Sequence, residues 1–246
     1  MTALAGRVAV VTGASRGIGE AIALALAASG ARLCLVGRDE DTLLRVAQGA
    51  HRAHDTQVPH RCFRADLADD ADVERLADSL RRDLQTVDVL VHAAGILHPA
   101  RFENASAAQF DAQYRTNVRA PFVLTQRLLA PLKVARGQVV FVNSSAGLSA
   151  RADHGQYAAT KHALKAVADS LREEVNPAGV RVLSVFLGRT ATRMQAELHA
   201  IEGKPYEPVA LIQPEDVAAL TLQVLLMPRN VEVTDISLRP MRKPPA

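Results

Sequence analysis

Tyr157 and Lys161 stand four residues apart in Tyr157-Ala158-Ala159-Thr160-Lys161, so a helix there sets both side chains on one face. With 3 Tyr and 5 Lys in 246 residues, chance supplies roughly 0.06 pairs at this helical spacing. A free phenol titrates near ~10; an ammonium ~4 Å away at an effective dielectric of ~20 is worth about 4 kcal/mol, or up to ~3 pKa units. The spacing therefore predicts a tyrosine drawn toward neutral pH, where proton transfer is efficient. Ser144, 13 residues upstream of Tyr157, follows an apolar run and can hold a substrate oxygen. Such a set suits exchange between a carbonyl and an alcohol, with a nicotinamide carrying the hydride. A serine hydrolase would need Ser144 in the turn G-x-S-x-G, and it is not flanked by those glycines.

A cofactor cradle is legible near the N-terminus. The apolar run Val8-Ala9-Val10-Val11 leads into Thr12-Gly13-Ala14-Ser15-Arg16-Gly17-Ile18-Gly19, with spacing G-x-x-x-G-x-G. Glycines there let the backbone approach a pyrophosphate, and the helix that follows offers free N–H groups. No G-K-[ST] follows, so a nucleotide triphosphate loop is excluded. The second strand ends at Gly37-Arg38, where an NAD site would place an acid. Arg38, with Arg16 from the glycine turn, offers planar forks for a 2′-phosphate. The expected cofactor is NADP(H) rather than NAD(H).

Positioning these groups requires a scaffold of alternating elements. Strands are expected at 7–12, 31–36, 60–65, 87–92, 138–143, 180–186 and 231–238. Helices are expected at 17–29, 39–54, 69–85, 106–134, 156–175 and 214–227. Runs such as Val139-Val140-Phe141-Val142 are apolar throughout, as in strands covered on both faces. The pattern predicts an α/β, Rossmann-type, doubly wound parallel sheet of about seven strands with helices on both faces. It reads as one domain over 1–246, with 189–213 as a substrate lid and 241–246 as a loose tail. Ser144 would then lie at a carboxyl end of the sheet, where ligands bind.

Taken together, the sequence resembles the short-chain dehydrogenase/reductase family over roughly residues 6–240. The resemblance rests on TGASRGIG at 12–19, Asp66-Leu67, His92-Ala93-Ala94-Gly95, Asn117, NSSAG at 143–147, YAATK at 157–161 and the segment Leu187–Thr192. It implies a catalytic set of Asn117, Ser144, Tyr157 and Lys161, with Asn117 holding a water beside Lys161. It implies cofactor contacts at Gly13, Ser15, Arg16, Gly17, Ile18, Gly19, Arg38, Asp66, Leu67, Ala93, Gly95, Tyr157, Lys161, Thr190 and Thr192. Within these, Lys161 would bind the nicotinamide ribose, Asp66 would meet adenine, and Thr190 or Thr192 would lie by the amide or diphosphate. Two positions depart from the family pattern: His92 stands where Asn is common, and Leu187 where Pro is common. A homodimer or homotetramer, joined through the helices holding Asn117 and Tyr157, is implied by resemblance alone.

Met194, Leu198, Ile201, Tyr206, Val209 and Leu211 in the lid suit a medium-sized, largely apolar ketone or alcohol. His154 reads as a loop residue near the pocket. His51, His54 and His60 have no closing ligand set, so no metal is expected. Cys34 and Cys62 make no disulfide framework, and no apolar run exceeds the eight residues 21–28, so a cytosolic chain without membrane partner is expected. The formal net charge is +3 and the 24 arginines are scattered, which argues against nucleic acid. The rival reading is a binder of NADP(H) that keeps this fold as a regulatory or scaffold protein without turnover.

Overall fold

The structure is a computed structural model that describes residues 3–54 and 59–241. Seven strands form one parallel sheet: β1 (Val8–Thr12), β2 (Arg32–Gly37), β3 (Arg61–Arg64), β4 (Val89–His92), β5 (Gln138–Ser144), β6 (Arg181–Leu187) and β7 (Asp235–Leu238). Their spatial order is β3-β2-β1-β4-β5-β6-β7. Chain direction across the sheet therefore reverses between β1 and β4, and their carboxyl ends open a crevice there. In register, Thr12 pairs with Val36 on one side and His92 on the other.

Eight α-helices cover the sheet: α1 (Gly17–Ala28), α2 (Glu40–Ala53), α3 (Asp70–Asp83), α4 (Ala107–Tyr114), α5 (Ala120–Ala135), α6 (Gly155–Val175), α7 (Arg193–Ile201) and α8 (Pro214–Leu225). The pleat divides the core by residue parity. Ala9 and Val11 of β1 pack with Ile22, Leu26, Leu43, Val46 and Val217 from α1, α2 and α8. Val8 and Val10 pack with Leu76, Leu80, Leu124, Leu128 and Leu164 from α3, α5 and α6. All five β1 residues are buried, as the unbroken apolar strand required.

Caps fix the helix starts. The Asp39 carboxylate accepts from the Thr42 amide at 2.8 Å, and Asp69 accepts from the amides of Ala71 and Asp72. Gln213 and Asp216 form a reciprocal box at the start of α8.

Three boundaries differ from the sequence reading. The helix expected over 106–134 is broken by a π turn at Arg115–Arg119. The lid segment contains α7, whose start is capped by the Thr192 hydroxyl accepting from Gln195 N. Strand β7 begins at Asp235 rather than 231; before it, contact with β6 runs through side chains, Arg181 Nη1 donating to the Val231 carbonyl and Val182 N to the Glu232 carboxylate. Of the expected tail at 241–246, residues 242–246 lie outside the described residues.

Candidate active site

The glycine turn follows β1 at the switch point. Gly13 has φ +66°, and a Cβ there would stand 2.6 Å from the Ala94 amide nitrogen. Only glycine lets the β1 turn lie against the end of β4. A Cβ on Gly19 would strike the Gly13 carbonyl, and one on Gly37 would strike the Ser15 hydroxyl. Ser15 Oγ is buried and makes no hydrogen bond. A buried hydroxyl without a partner, above the start of α1, fits an incoming phosphate oxygen. Gly17 faces the Thr192 methyl at 3.3 Å from its notional Cβ, and Ile18 lines the adjoining cavity. The turn, Thr192 and Ile18 thus bound one groove.

The two arginines expected to read a 2′-phosphate flank the glycine turn, where Gly37 packs against Ser15. Arg16 and Arg38 are both exposed. Arg64, at the end of β3, donates from Nε to the Arg38 carbonyl at 3.3 Å. This third guanidinium was missed in the sequence; the β2–β3 pairing of Gly37 with Arg64 is what delivers it. Asp66 is exposed, with one carboxylate oxygen accepting from Ala68 N at 3.0 Å. Leu67 points into the core beside Val73, so only its backbone faces the groove side.

A cavity of about 670 Å³ adjoins this groove. Ala93, Gly95, Ser144, Tyr157, Lys161, Thr190 and Thr192 all line it. Ser144 ends β5, and Tyr157 and Lys161 lie on the first turns of α6. Gly147 lets α6 approach: a Cβ there would meet the Lys161 carbonyl and Asn143 Oδ1, each at 2.8 Å. Lys161 Nζ donates to the Val142 carbonyl at 3.0 Å and lies 5.7 Å from the Tyr157 ring centre. A Cβ on Gly95 would be 3.4 Å from Asn117 Oδ1 and 3.9 Å from Lys161 Nζ, so both groups close on that glycine.

One sequence expectation is corrected by this geometry. Tyr157 is not acidified by its lysine. Burial pushes the phenol up to about 12, while the Ser144 hydroxyl bond pulls the other way. Burial also pushes the Lys161 ammonium down to about 8. The lysine is anchored to a backbone carbonyl beneath the ring, and a desolvated site penalises both charged forms.

The Asn117 side chain is engaged within the chain. Its Oδ1 accepts from Ile96 N and its Nδ2 donates to Ile96 O, both at 2.9 Å, with Thr160 Oγ1 at 3.1 Å. The amide replaces a strand partner for the chain leaving β4, and the π turn seats it there. What Asn117 can still offer a water is its main chain.

His92 is buried at the end of β4. Its Nε2 meets Thr125 Oγ1 at 2.8 Å, and its ring stacks on Phe141 at 5.1 Å between centres. It therefore packs beneath the site and away from the cavity. Leu187, the other departure, is buried and lines the cavity. Thr190 donates to the Gly188 carbonyl at 3.2 Å and bridges to Ile212. That bridge ties both ends of the 189–213 segment together.

A latch in this segment was also invisible in the sequence. Arg189 Nη2 donates to the two Glu202 carboxylate oxygens at 2.6 and 2.9 Å, and Nη1 approaches His199 Nε2 at 3.0 Å. The guanidinium holds the Glu202 carboxyl below its ordinary range against the opposing effect of burial. A guanidinium only donates, so His199 Nε2 is an acceptor and its Nδ1–H faces the Gln195 carbonyl at 2.8 Å. Arg189 leaves β6 while His199 and Glu202 end α7, so the latch folds α7 over the cavity. Among the described residues no group of three His, Cys, Asp or Glu side chains could hold a metal ion.

Comparison with known proteins gives a consistent result. A solved alcohol dehydrogenase from Thermococcus sibiricus, complexed with 5-hydroxy-NADP, superposes with a TM-score of 0.86 at 29% identity, covering 98% of this chain and 99% of that one. A short chain dehydrogenase of Escherichia coli CFT073, solved with NADPH, gives 0.86 at 30% identity over 96% and 98%. An uncharacterized oxidoreductase of Staphylococcus aureus (strain USA300) is 28% identical over 242 residues, 98% of this chain and all of the relative. The model of the short chain dehydrogenase family matches residues 7–203. The parallel sheet, the groove at its switch point and this match agree: the chain belongs to the short chain dehydrogenase family.

Proposed function

We propose that the protein is an NADP(H)-dependent oxidoreductase that interconverts a carbonyl compound and an alcohol. The observation that carries this reading is the convergence of Ser144, Tyr157 and Lys161 on one cavity adjoining the glycine-turn groove. NADP(H) supplies the hydride when bound. The fit to this cofactor rests on the unpartnered Ser15 hydroxyl, the backbone approach at Gly13, and the guanidiniums of Arg16, Arg38 and Arg64. Solved relatives that hold NADP or NADPH favour the same choice over NAD(H).

In this reading each residue of the chain has a stated task. Gly13, Ser15, Gly17, Ile18, Gly19 and Thr192 enclose the diphosphate, with Thr190, Ala93 and Gly95 beside the nicotinamide. Asp66 and Leu67 flank the adenine. Ser144 holds the substrate oxygen, and Tyr157 donates the proton to it in reduction. A phenol held near 12 is protonated at neutral pH, which suits an acid; in oxidation a phenolate would take the alcohol's proton, its negative charge offset by the neighbouring ammonium. Lys161 holds ribose hydroxyls and feeds protons, and Asn117 orders the loop after β4 that shapes this wall. The segment 189–213 acts as a lid that excludes water.

The exposed Phe110, Tyr114 and Phe122, on α4 and α5, support assembly as a homodimer or homotetramer. The free Cys34 and Cys62 suit a reducing compartment such as the cytosol. Among the described residues no helix is long and apolar enough to cross a membrane.

The test is NADPH oxidation across a panel of ketones and aldehydes, with Tyr157→Phe alongside. Loss of the proton donor should lower kcat by at least ~10². Tight NADPH binding without turnover of any carbonyl would instead favour the catalytically inactive binder.

A further inference from the structure

We propose that the substrate carries a carboxylate, which Arg151 binds at the outer wall of the cavity while the reacting carbonyl meets Ser144 and Tyr157. This rests on the oxidoreductase reading above and names the substrate class for it. The lid sequence alone suggests an apolar ligand, and Leu97, Met194, Leu198 and Ile201 do line the cavity. Folding adds two cations from outside the lid, Arg101 and Arg151, to the lid's own charge. Arg101 arrives from the chain after β4, Arg151 from the loop before α6, and Arg189 and Lys204 from either side of α7. Against these four cations, with Lys161 a fifth beside the reacting pair, the lining has two acids, Asp153 and Glu202.

Three of the four cations are already engaged. Arg189 is latched to Glu202, and Lys204 Nζ stands 4.0 Å from the same carboxylate. Arg101 lies between Glu103 at 3.7 Å and Asp153 at 3.8 Å. The Arg151 guanidinium makes no hydrogen bond or ion pair with any described side chain, yet its loop is well tied. Ala100 N donates to the Asp153 carbonyl at 2.8 Å, and His154 N donates to the Arg151 carbonyl at 3.3 Å. Asp153 holds φ +64°, a left-handed conformation that reverses the chain just after Arg151.

A free guanidinium on a tied loop, lining one cavity with apolar side chains and the Ser144–Tyr157 pair, suits a two-ended ligand. Its planar fork matches a carboxylate bidentately. Away from Lys161 at the reacting end, a single unpaired cation with Asp153 two residues away suits a monoanion. A phosphate dianion would face that acid and Glu202 as well.

The test uses 4-oxopentanoate, 5-oxohexanoate, 6-oxoheptanoate and 7-oxooctanoate, each against its methyl ester, with NADPH as reductant. At the length that spans the cavity, the acid should exceed its ester about tenfold in kcat/KM, the scale of one charge-assisted hydrogen bond. The preference should shrink as salt rises. In Arg151→Gln the acid-to-ester ratio should fall toward one, with NADPH fluorescence reporting that the variant is folded. A second readout is hexanoate binding to the NADPH-loaded protein, weakened about tenfold by the same substitution.

Turnover of acids and esters at equal efficiency at every length overturns the carboxylate and leaves the oxidoreductase reading standing. Hexanoate bound through Arg151 with no oxo acid reduced supports the carboxylate site and overturns the redox reading. Neither binding nor turnover overturns both.

Discussion

Acid should destabilise this protein through His92 more than through any exposed histidine. The ring lies in the core at the end of β4, on Phe141 and against Thr125. Its Nδ1 is buried without a partner. Protonation would therefore place a charge in a dry site and an N–H with no acceptor. Desolvation pushes the imidazole from its ordinary 6.5 down to about 3.

The sign follows from proton counts. Above pH 6.5 the ring is neutral in both folded and unfolded chains, so stability is indifferent to it. Between 6.5 and 3 the unfolded chain binds a proton that the folded chain refuses, so stability falls as pH falls. Each pH unit costs about 1.36 kcal/mol, so the full window is worth at most about 5 kcal/mol. From pH 7 to 4.5 the share is about 2.7 kcal/mol, two units of which lie below 6.5.

The assay is urea unfolding at pH 7 and 4.5 for the native chain and for His92→Gln, whose amide reaches Thr125 without titrating. Other groups that titrate are common to both proteins and cancel in the difference. His92→Gln should lose about 2–3 kcal/mol less than the native chain over this interval. If the two proteins lose the same amount, the histidine is not held neutral and the packing argument fails.

Three further outcomes follow from the site. Arg38→Asp should move the kcat/KM ratio from NADPH toward NADH, because it removes one of the three guanidiniums proposed for the phosphate; an unchanged ratio would mean that Arg38 does not read the phosphate. Since Lys161 is held down to about 8 and acts as an ammonium, kcat/KM for reduction should decline as pH rises through that value in the free enzyme. A profile flat to pH 10 would remove the charge from its proposed task. Arg189→Ala frees His199 and Glu202, so backbone amides of 193–202 should exchange faster with deuterium while those of β5 stay protected; unchanged exchange would show that the latch does not hold α7.

Much of the scaffold was readable because its signals are local. Apolar strands such as Val8–Thr12 alternate with capped helices, and that periodicity dictates a covered parallel sheet. The glycine turn was readable for the same reason: its backbone geometry admits few residue types. Tyr157 and Lys161 share a helix face by spacing alone, so the sequence settled that they are neighbours.

What the sequence could not settle was the environment of those neighbours. A four-residue spacing does not say whether an ammonium meets a phenol's oxygen or lies beneath its ring. The Val142 carbonyl and burial decided that, and reversed the expected direction for Tyr157. The helix over 106–134 looked continuous because propensity is summed locally, whereas the π turn follows from the Asn117 amide satisfying Ile96, 21 residues away. Arg64 reaches Arg38 only through strand pairing, and Arg101, Arg151 and Lys204 share a wall only because three loops meet at one end of the sheet. Sequence by itself determined the fold and the candidate reacting groups, since both are written in short-range pattern. Tertiary structure decided their protonation and the charge of the pocket, because desolvation and electrostatic balance depend on which distant segments pack around a site.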